Sequence, residues 1–141
     1  MDDTRRRLLW HGMFLFLLGL VTGLLETKFS NIRMGLAAHL EGVMNGTFLV
    51  AVGAIWLEVR LVPAWKTVAY WALLYGTYAN WLFTTLAAVF GTGALSPVTA
   101  PGLVAAAWQE SLISAGFMSV GLAIIAASLL MLWGLRSKAA A

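Results

Sequence analysis

The sequence predicts an all-α fold, an integral membrane four-helix bundle with both termini in the cytoplasm. The 141 residues are 61% hydrophobic and 11% charged, so apolar side chains exceed what one small water-soluble core buries. A membrane-crossing helix needs about 20 mostly apolar residues, and only helices and closed barrels satisfy their backbone hydrogen bonds in lipid. Because the apolar runs are too long for barrel strands, we expect one helical domain over residues 1–141.

Four apolar stretches are predicted to cross the membrane, at about 8–25, 36–59, 68–90 and 110–135. The connection 60–66 contains Pro63 and is short, so the second and third spans should be antiparallel neighbours. The connection 91–107 is rich in glycine and proline and has no charged residue, which predicts an irregular outer segment.

Small and aromatic residues mark expected contacts of these spans. Small-residue spacing that lets helix backbones approach closely is found at Gly19, Gly23, Gly42 and Gly46. Indole rings favour the headgroup boundary, and tryptophans near predicted span ends are Trp56, Trp65, Trp71, Trp108 and Trp133.

Basic residues flank the predicted spans unequally. Only Lys28 and Arg33 lie on one side, whereas the other side carries Arg5, Arg6, Arg7, Arg60, Lys66, Arg136 and Lys138. The positive-inside rule then places both termini and the middle connection in the cytoplasm, which predicts a multi-pass protein of the cell inner membrane. Flanking charges of this kind favour anionic headgroups, so we expect membrane lipid and no nucleic acid as a partner. Zero cysteines exclude disulfides and thiolate metal ligands.

His39 is the first candidate site residue, because titratable side chains are costly at membrane depth. Gly35, Gly42 and Gly46 stand at i−4, i+3 and i+7 from it, on one helical face. Bare backbone around one imidazole suits a flat porphyrin whose iron takes one axial histidine. The spacing predicts His39 as the metal ligand and the three glycines as cofactor-binding residues. The alternative is a histidine bonded across a close helix contact that the glycines permit.

Further polar side chains in the spans are candidate catalytic residues. Glu41 and Asn45 are four residues apart and share a face rotated away from His39. In the third span, a polar stripe contains Asn80 between Thr77 and Thr84, and an aromatic wall on an adjoining face is formed by Tyr75, Tyr78 and Trp81. The predicted catalytic set is Glu41, Asn45, Tyr75, Tyr78 and Asn80, with ordinary bundle packing as the alternative for each.

Two other polar residues have more ordinary interpretations. His11, near the start of the first span, is expected to make a polar or interfacial contact. Glu110 is expected to be a first-turn carboxylate favoured by the helix dipole.

Several stretches carry a resemblance to a known family. Residues 33–46 (RMGLAAHLEGVMNG) and 75–81 (YGTYANW), with LWHG at 9–12, ALSP at 94–97 and WQE at 108–110, resemble the hydroxylaminobenzene mutases. More distantly the chain resembles styrene oxide isomerase, a four-helix membrane enzyme family that forms trimers and holds haem b between subunits through a histidine.

The isomerase motifs match in part. The His-x5-Asn-Gly motif of that family is matched by His39, Asn45 and Gly46, and its Ala-Asn pair by Ala79 and Asn80. Two other positions depart from the isomerase pattern. The family's acidic residue upstream of the Ala-Asn pair falls near Tyr75, and its tyrosine after the pair falls at Thr84. We therefore expect a substrate other than that of styrene oxide isomerase, and the same haem site.

The resemblance implies an isomerase of nitroaromatic degradation that converts an aryl hydroxylamine to a 2-aminophenol by redox-neutral transfer of OH. It implies a homotrimer that holds haem b, with His39 as axial iron ligand and Asn45 as a substrate-facing amide. We hypothesise that ferric haem acts as a Lewis acid in this reaction. Three alternatives stay open: an epoxide isomerase of the styrene oxide type, a haem-binding electron-transfer subunit with His11 as second iron ligand, and a transporter or scaffold without cofactor.

Overall fold

The computed structural model describes residues 3–136, and Lys138, counted above among the C-terminal cations, lies outside this range. All regular structure in the range is helical, which confirms the all-α prediction for these residues. The long helices are α1 (Asp3–Leu25), α2 (Ile32–Ile55), α3 (Pro63–Phe90) and α4 (Ala107–Arg136). Single 3-10 turns follow α1 at Glu26–Lys28 and α2 at Trp56–Glu58.

Local sequence signals set the helix ends. The side chain of Asn31 caps α2, because its Oδ1 accepts a hydrogen bond from the Met34 backbone N–H at 3.0 Å. Pro63 lies in the first turn of α3, where its missing N–H would have no helical acceptor. At the other end of α3, Gly91 adopts a left-handed φ of 70° and stops the helix.

Three helical segments of the described chain are long and apolar enough to cross a membrane, at 3–28, 32–58 and 107–136. The 28-residue α3 is long enough but carries tyrosine, threonine and asparagine side chains, and it is not among the three. The structure is therefore compatible with a membrane protein. Four spans, a closed bundle and cytoplasmic termini stay predictions.

The helices pack in chain order. α1 packs along α2, α2 against α3 and α3 against α4, and α1 touches α3 only slightly. Glycines bring the first pair into backbone contact: a Cβ on Gly19 would lie 2.5 Å from the Val43 backbone N, and one on Gly12 would lie 2.7 Å from that of Val50. The spacing of Gly19, Gly42 and Gly46 thus marks a helix contact.

The two ends of the molecule differ in charge. The basic end joins the start of α1, the turn after α2, the start of α3 and the end of α4, where the Arg60 N–H donates to the Gly134 carbonyl at 3.0 Å. It has six cations and two anions among the described residues, namely Arg5, Arg6, Arg7, Arg60, Lys66 and Arg136 against Asp3 and Glu58. The loop end, with the 91–106 connection, has two of each: Lys28, Arg33, Glu26 and Glu110.

Four of the five tryptophans expected at the headgroup boundary are exposed, at 45–63% for Trp65, Trp71, Trp108 and Trp133. The expectation is wrong for Trp56, which is 1% exposed. Trp56 belongs to the larger apolar core, to which all four helices contribute, because the 3-10 turn at 56–58 folds it inward.

Candidate functional site

A carboxylate and two amides meet where α2 packs on α3. The Glu41 Oε2 accepts one hydrogen bond from Asn45 Nδ2 at 3.0 Å and another from Asn80 Nδ2 at 2.5 Å. We call these three residues the Glu41 cluster. All three are half-buried. The cluster therefore brings together three of the five predicted catalytic residues.

The arrangement leaves part of the carboxylate available. Two amide donors converge on Oε2, and charge-assisted hydrogen bonds of this kind fix a carboxylate in one orientation. Oε1 of Glu41 has no hydrogen-bond donor among the described residues. It is therefore the atom of the cluster that can accept a proton or a hydrogen bond from a ligand.

His39 lies on another side of α2, against α1. Its Nδ1 is 2.8 Å from the carbonyl oxygen of Gly19. A carbonyl can only accept, so Nδ1 is the donor in this contact, and in the neutral ring Nε2 is then the nitrogen with the lone pair. Metal-ligating histidines have this arrangement, with one ring nitrogen bonded to a backbone carbonyl and the other free for the metal.

The absence of a side chain at Gly23 makes room for the imidazole. A Cβ there would lie 2.6 Å from Nδ1 of His39. The half-buried ring lines an open groove of about 430 Å³ between α1 and α2, together with Leu20, Gly23, Leu24, Glu26 and Leu36. The groove is mostly apolar, so a flat hydrophobic group can enter beside the histidine.

The three glycines predicted to flank a cofactor are buried against other parts of the chain. Gly35 lies against Phe29 and Glu26. The backbone of Gly42 contacts α1 at Gly19, and that of Gly46 contacts α1 at Phe16. In this chain, therefore, these glycines do not present bare backbone to a flat ligand. Their position is the close helix contact given above as the alternative.

His39 and the Glu41 cluster face opposite ways from α2. They are two residues apart, which is a rotation of about 200° on a helix. His39 consequently meets α1, whereas Glu41 meets α3. A single chain does not place both in one cavity.

The two predicted catalytic tyrosines are outside the Glu41 cluster. The hydroxyl of Tyr75, a residue 48% exposed, lies 2.7 Å from Ser119 Oγ on α4. The hydroxyl of Tyr78 donates to the His11 carbonyl at 3.2 Å and lies 3.0 Å from His11 Nδ1. Each tyrosine thus connects α3 to a different outer helix, and His11 makes the polar contact expected of it.

The polar stripe of α3 is satisfied largely within its own helix. Thr77 donates to the Leu73 carbonyl at 2.7 Å, and Thr84 donates to the Asn80 carbonyl at 2.7 Å. Asn80 is the member of the stripe whose side chain reaches a different helix. The stripe therefore contributes one functional group to the site.

Three contacts near the site were not predicted. The first is the hydrogen bond from His39 Nδ1 to the Gly19 carbonyl. It has no sequence signal, because every residue has a backbone carbonyl. The Trp81 indole N–H donates to Thr22 Oγ1 at 3.0 Å and joins α3 to α1 beside Gly42. The sequence analysis assigns Gly23 to a helix contact and not to the space beside the His39 ring. Gly23 lies four residues after Gly19, on the same face of α1, and this spacing is the signal that could have placed it beside His39.

The 91–106 connection is held down at the loop end. The carboxylate of Glu110 accepts backbone N–H groups of Gly93 at 2.8 Å and Ala94 at 3.1 Å. The Arg33 guanidinium donates to the Val98 carbonyl at 3.1 Å. Glu110 is thus an anchor of the loop as well as a first-turn acid.

Within residues 3–136, no group of three or more His, Cys, Asp or Glu side chains is arranged to hold a metal ion. A metal at His39 would therefore need most of its ligands from a cofactor. The donor set of one imidazole with a free Nε2 fits such a group.

Comparison with known proteins gives consistent matches over nearly the whole chain. The model of the styrene oxide isomerase family matches residues 4–136. Hydroxylaminobenzene mutase HabB of Ectopseudomonas oleovorans is 46% identical over 136 residues, which are 96% of this chain and 83% of that protein. Hydroxylaminobenzene mutase HabA of the same organism is 43% identical over 125 residues, 88% of this chain and 93% of that protein. No solved structure matches significantly.

Proposed function

The chain belongs to the styrene oxide isomerase family and is an isomerase, and we propose that it is a hydroxylaminobenzene mutase, which converts aryl hydroxylamines to 2-aminophenols. The observation that carries the proposal is the Glu41 cluster, because it holds both motif amides, Asn45 and Asn80, on one carboxylate. The extent of the match to two mutases supports the choice of substrate over an epoxide.

The proposed reaction is an isomerisation and needs no external reductant. The N–O bond of the hydroxylamine breaks and a C–O bond forms at the ortho carbon. That carbon loses its proton, and nitrogen gains one, so atoms and electrons balance. A group that moves a proton from carbon to nitrogen is the protein's main requirement, and general acid–base groups contribute about 10²- to 10⁴-fold to such steps.

Glu41 is the proposed proton carrier. Its Oε1 is free to accept the ring proton, while Oε2 is fixed by two amides. Asn45 and Asn80 hold the carboxylate in one orientation through their amide N–H groups, and their amide oxygens would accept a hydrogen bond from the amino group of the substrate. Tyr75 and Tyr78, which bond to α4 and α1, have a structural role in this scheme.

His39 would hold haem b through Nε2. The fit rests on the Nδ1 bond to Gly19 and on the apolar groove of about 430 Å³ beside the ring. When bound, ferric haem supplies a Lewis acid for the hydroxyl oxygen. Gly19 and Gly23 orient the imidazole, so these α1 glycines would replace Gly35, Gly42 and Gly46 as the residues that shape the cofactor site.

A second copy of the chain would complete the site. His39 and Glu41 face opposite sides of α2, so a haem beside His39 of one copy must approach the Glu41 cluster of another to share a substrate with it. A ring of three copies, as the resemblance implies, would provide this contact around a closed interface.

The connectivity supports a four-span topology. The spans at 32–58 and 107–136 both have the length and composition of membrane-crossing helices. α3 starts at the basic end, where α2 ends, and finishes at the loop end, where α4 starts. A crossing by α3 would connect these two ends. We propose four spans in the inner membrane with the basic end in the cytoplasm, and an aromatic substrate that enters from the bilayer.

The first test feeds hydroxylaminobenzene and, separately, styrene oxide to one purified preparation. We expect 2-aminophenol from the first and no comparable turnover of the second. Turnover of the epoxide alone would favour the alternative of a styrene-oxide-type isomerase and refute the mutase assignment.

A mixing experiment tests the site between copies. His39→Ala and Glu41→Gln are each expected to be inactive alone, and their co-expression should restore part of the activity, because mixed assemblies contain intact His39–Glu41 pairs. If mixtures stay inactive although both variants assemble together, the site is formed within one chain.

The electron-transfer alternative requires His11 and His39 on one iron. His39 contacts α1 at Gly19 and Gly23, which are 8 and 12 residues after His11. At 1.5 Å per residue this is about 12 to 18 Å along the helix axis. Two axial ligands of one iron cannot be so far apart, so one chain does not supply this pair.

A further inference from the structure

A second cavity lies at the basic end, away from both His39 and the Glu41 cluster. Its volume is about 420 Å³. Arg7 of α1 lines one part of it, Lys66, Tyr70 and Trp71 of α3 line another, and Trp56, in the turn after α2, lines a third. The cavity is therefore built from three separate parts of the chain.

The charge of this cavity is positive. Among the described residues, its lining includes Arg7 and Lys66 and no acidic side chain. Asp3 pairs with Arg7 at 2.8 Å, but both side chains are mostly exposed, so this pair contributes little. The Lys66 ammonium lies 5.4 Å from the centre of the Trp56 ring, which holds the cation at the cavity.

One buried donor of the lining lacks an acceptor. Trp56 is 1% exposed, and its Nε1 has no hydrogen-bond partner among the described residues. Buried polar groups are normally bonded, so an unpaired donor beside two cations points to an anionic acceptor.

The exposed side of α3 below the cavity is apolar. Val68, Trp71, Tyr75 and Leu82 are 45–63% exposed and recur at i, i+3, i+7 and i+14, which is one helical face. This stripe starts beside Lys66 and runs along the part of α3 that would lie in hydrocarbon. A ligand that fits both features has an anionic head and a long apolar tail.

We propose that the cavity binds the phosphate of an anionic membrane phospholipid, whose acyl chains lie along the exposed stripe of α3. The excess of cations at this end, six against two among the described residues, attracts the same lipids. Free phosphate shares the head chemistry, but it would leave the apolar stripe unused.

The test uses the full-length protein in a neutral detergent, depleted of lipid. Phosphatidylglycerol, phosphatidylcholine or inorganic phosphate is added, and binding is followed by native mass spectrometry and by the thermal midpoint. We expect phosphatidylglycerol to bind and to raise the midpoint more than the other two. Arg7→Gln and Lys66→Gln should each weaken binding about fivefold, the factor for one basic side chain near an anionic surface.

Lys28→Gln is the matched control, because it removes one cation from the loop end. It should leave the binding of phosphatidylglycerol unchanged. Equal effects of the two lipids would overturn the role of the headgroup charge, and an equal effect of phosphate would assign the cavity to a free anion. Unchanged binding in a double variant that combines Arg7→Gln and Lys66→Gln would overturn the location. If the double variant unfolds, the single variant Lys66→Gln is measured instead. Native mass spectra detect lipid bound to folded protein, so they show whether loss of this one cation weakens lipid binding.

Discussion

Replacing Gly23 by alanine tests whether the α1 backbone orients His39 as a haem ligand. The new Cβ would lie 2.6 Å from Nδ1 of His39, whereas non-bonded heavy atoms are comfortable at about 3.5 to 4 Å. The ring must therefore move by roughly 1 Å. That displacement breaks the 2.8 Å bond to the Gly19 carbonyl and redirects Nε2.

The magnitude follows from two separate effects. Overpacking of a tight helix contact costs about 1 to 3 kcal/mol of unfolding free energy. Loss of a hydrogen bond that orients a metal-ligating histidine lowers metal affinity about 10- to 100-fold. We therefore expect Gly23→Ala to lose most of its Soret absorbance per mole of folded protein after detergent purification.

Two control variants separate the effects. Gly12→Ala places a Cβ 2.7 Å from the Val50 backbone N in the same α1–α2 contact, far from His39, so it should lower stability and keep haem. Gly121→Ala has open space around the new Cβ and should change neither property. A folded Gly23→Ala protein with wild-type haem affinity would refute the reasoning, as would equal haem loss in Gly12→Ala.

Four further variants test the remaining residues. His39→Ala should abolish the Soret band and activity together, whereas His11→Ala should keep the band; a haem spectrum that depends on His11 would instead support the electron-transfer reading. Glu41→Gln should lower kcat about 10²- to 10⁴-fold with the Soret band retained, and near-normal turnover would remove Glu41 from the chemistry. Glu110→Ala frees two backbone N–H groups of the 91–106 connection and should lower the unfolding free energy by about 1 to 3 kcal/mol; faster amide exchange at Gly93 and Ala94 would locate the change, and an unaltered midpoint would show that the anchor is dispensable.

The helices could be predicted because their signals are local. Long apolar runs located all four, and residues such as Asn31, Pro63 and Gly91 set their ends by backbone chemistry that one residue decides. The structure begins every long helix three to five residues before the predicted span, at residues 3, 32, 63 and 107 against about 8, 36, 68 and 110. The first turns contain charged residues such as Arg5, Arg33 and Lys66, which a search for apolar runs leaves out.

The direction in which each site residue faces could be predicted only in part. Glu41 and Asn45 share a helical face by spacing alone, and Asn80 was found as a polar residue in an apolar span. Whether Tyr75 or Tyr78 would join them depends on which helix packs on each face of α3, and that order is a property of the whole fold. The structure directs these tyrosines to α4 and α1.

The glycines around His39 show why spacing did not decide between two interpretations. A helical face lined by Gly35, Gly42 and Gly46 has two possible uses. It can leave the backbone bare for a cofactor, or it can let another helix backbone come close. The same glycines serve either use, so the sequence does not distinguish them. The deciding information lies in α1, whose Gly19 meets Gly42 and also bonds His39 through its carbonyl. Because the Gly19 end of this contact both joins the helices and fixes the imidazole, a substitution beside His39 such as Gly23→Ala should release the haem. Gly12→Ala, farther along the same contact, should weaken the packing and leave the imidazole in place, which is why the two variants must be compared directly.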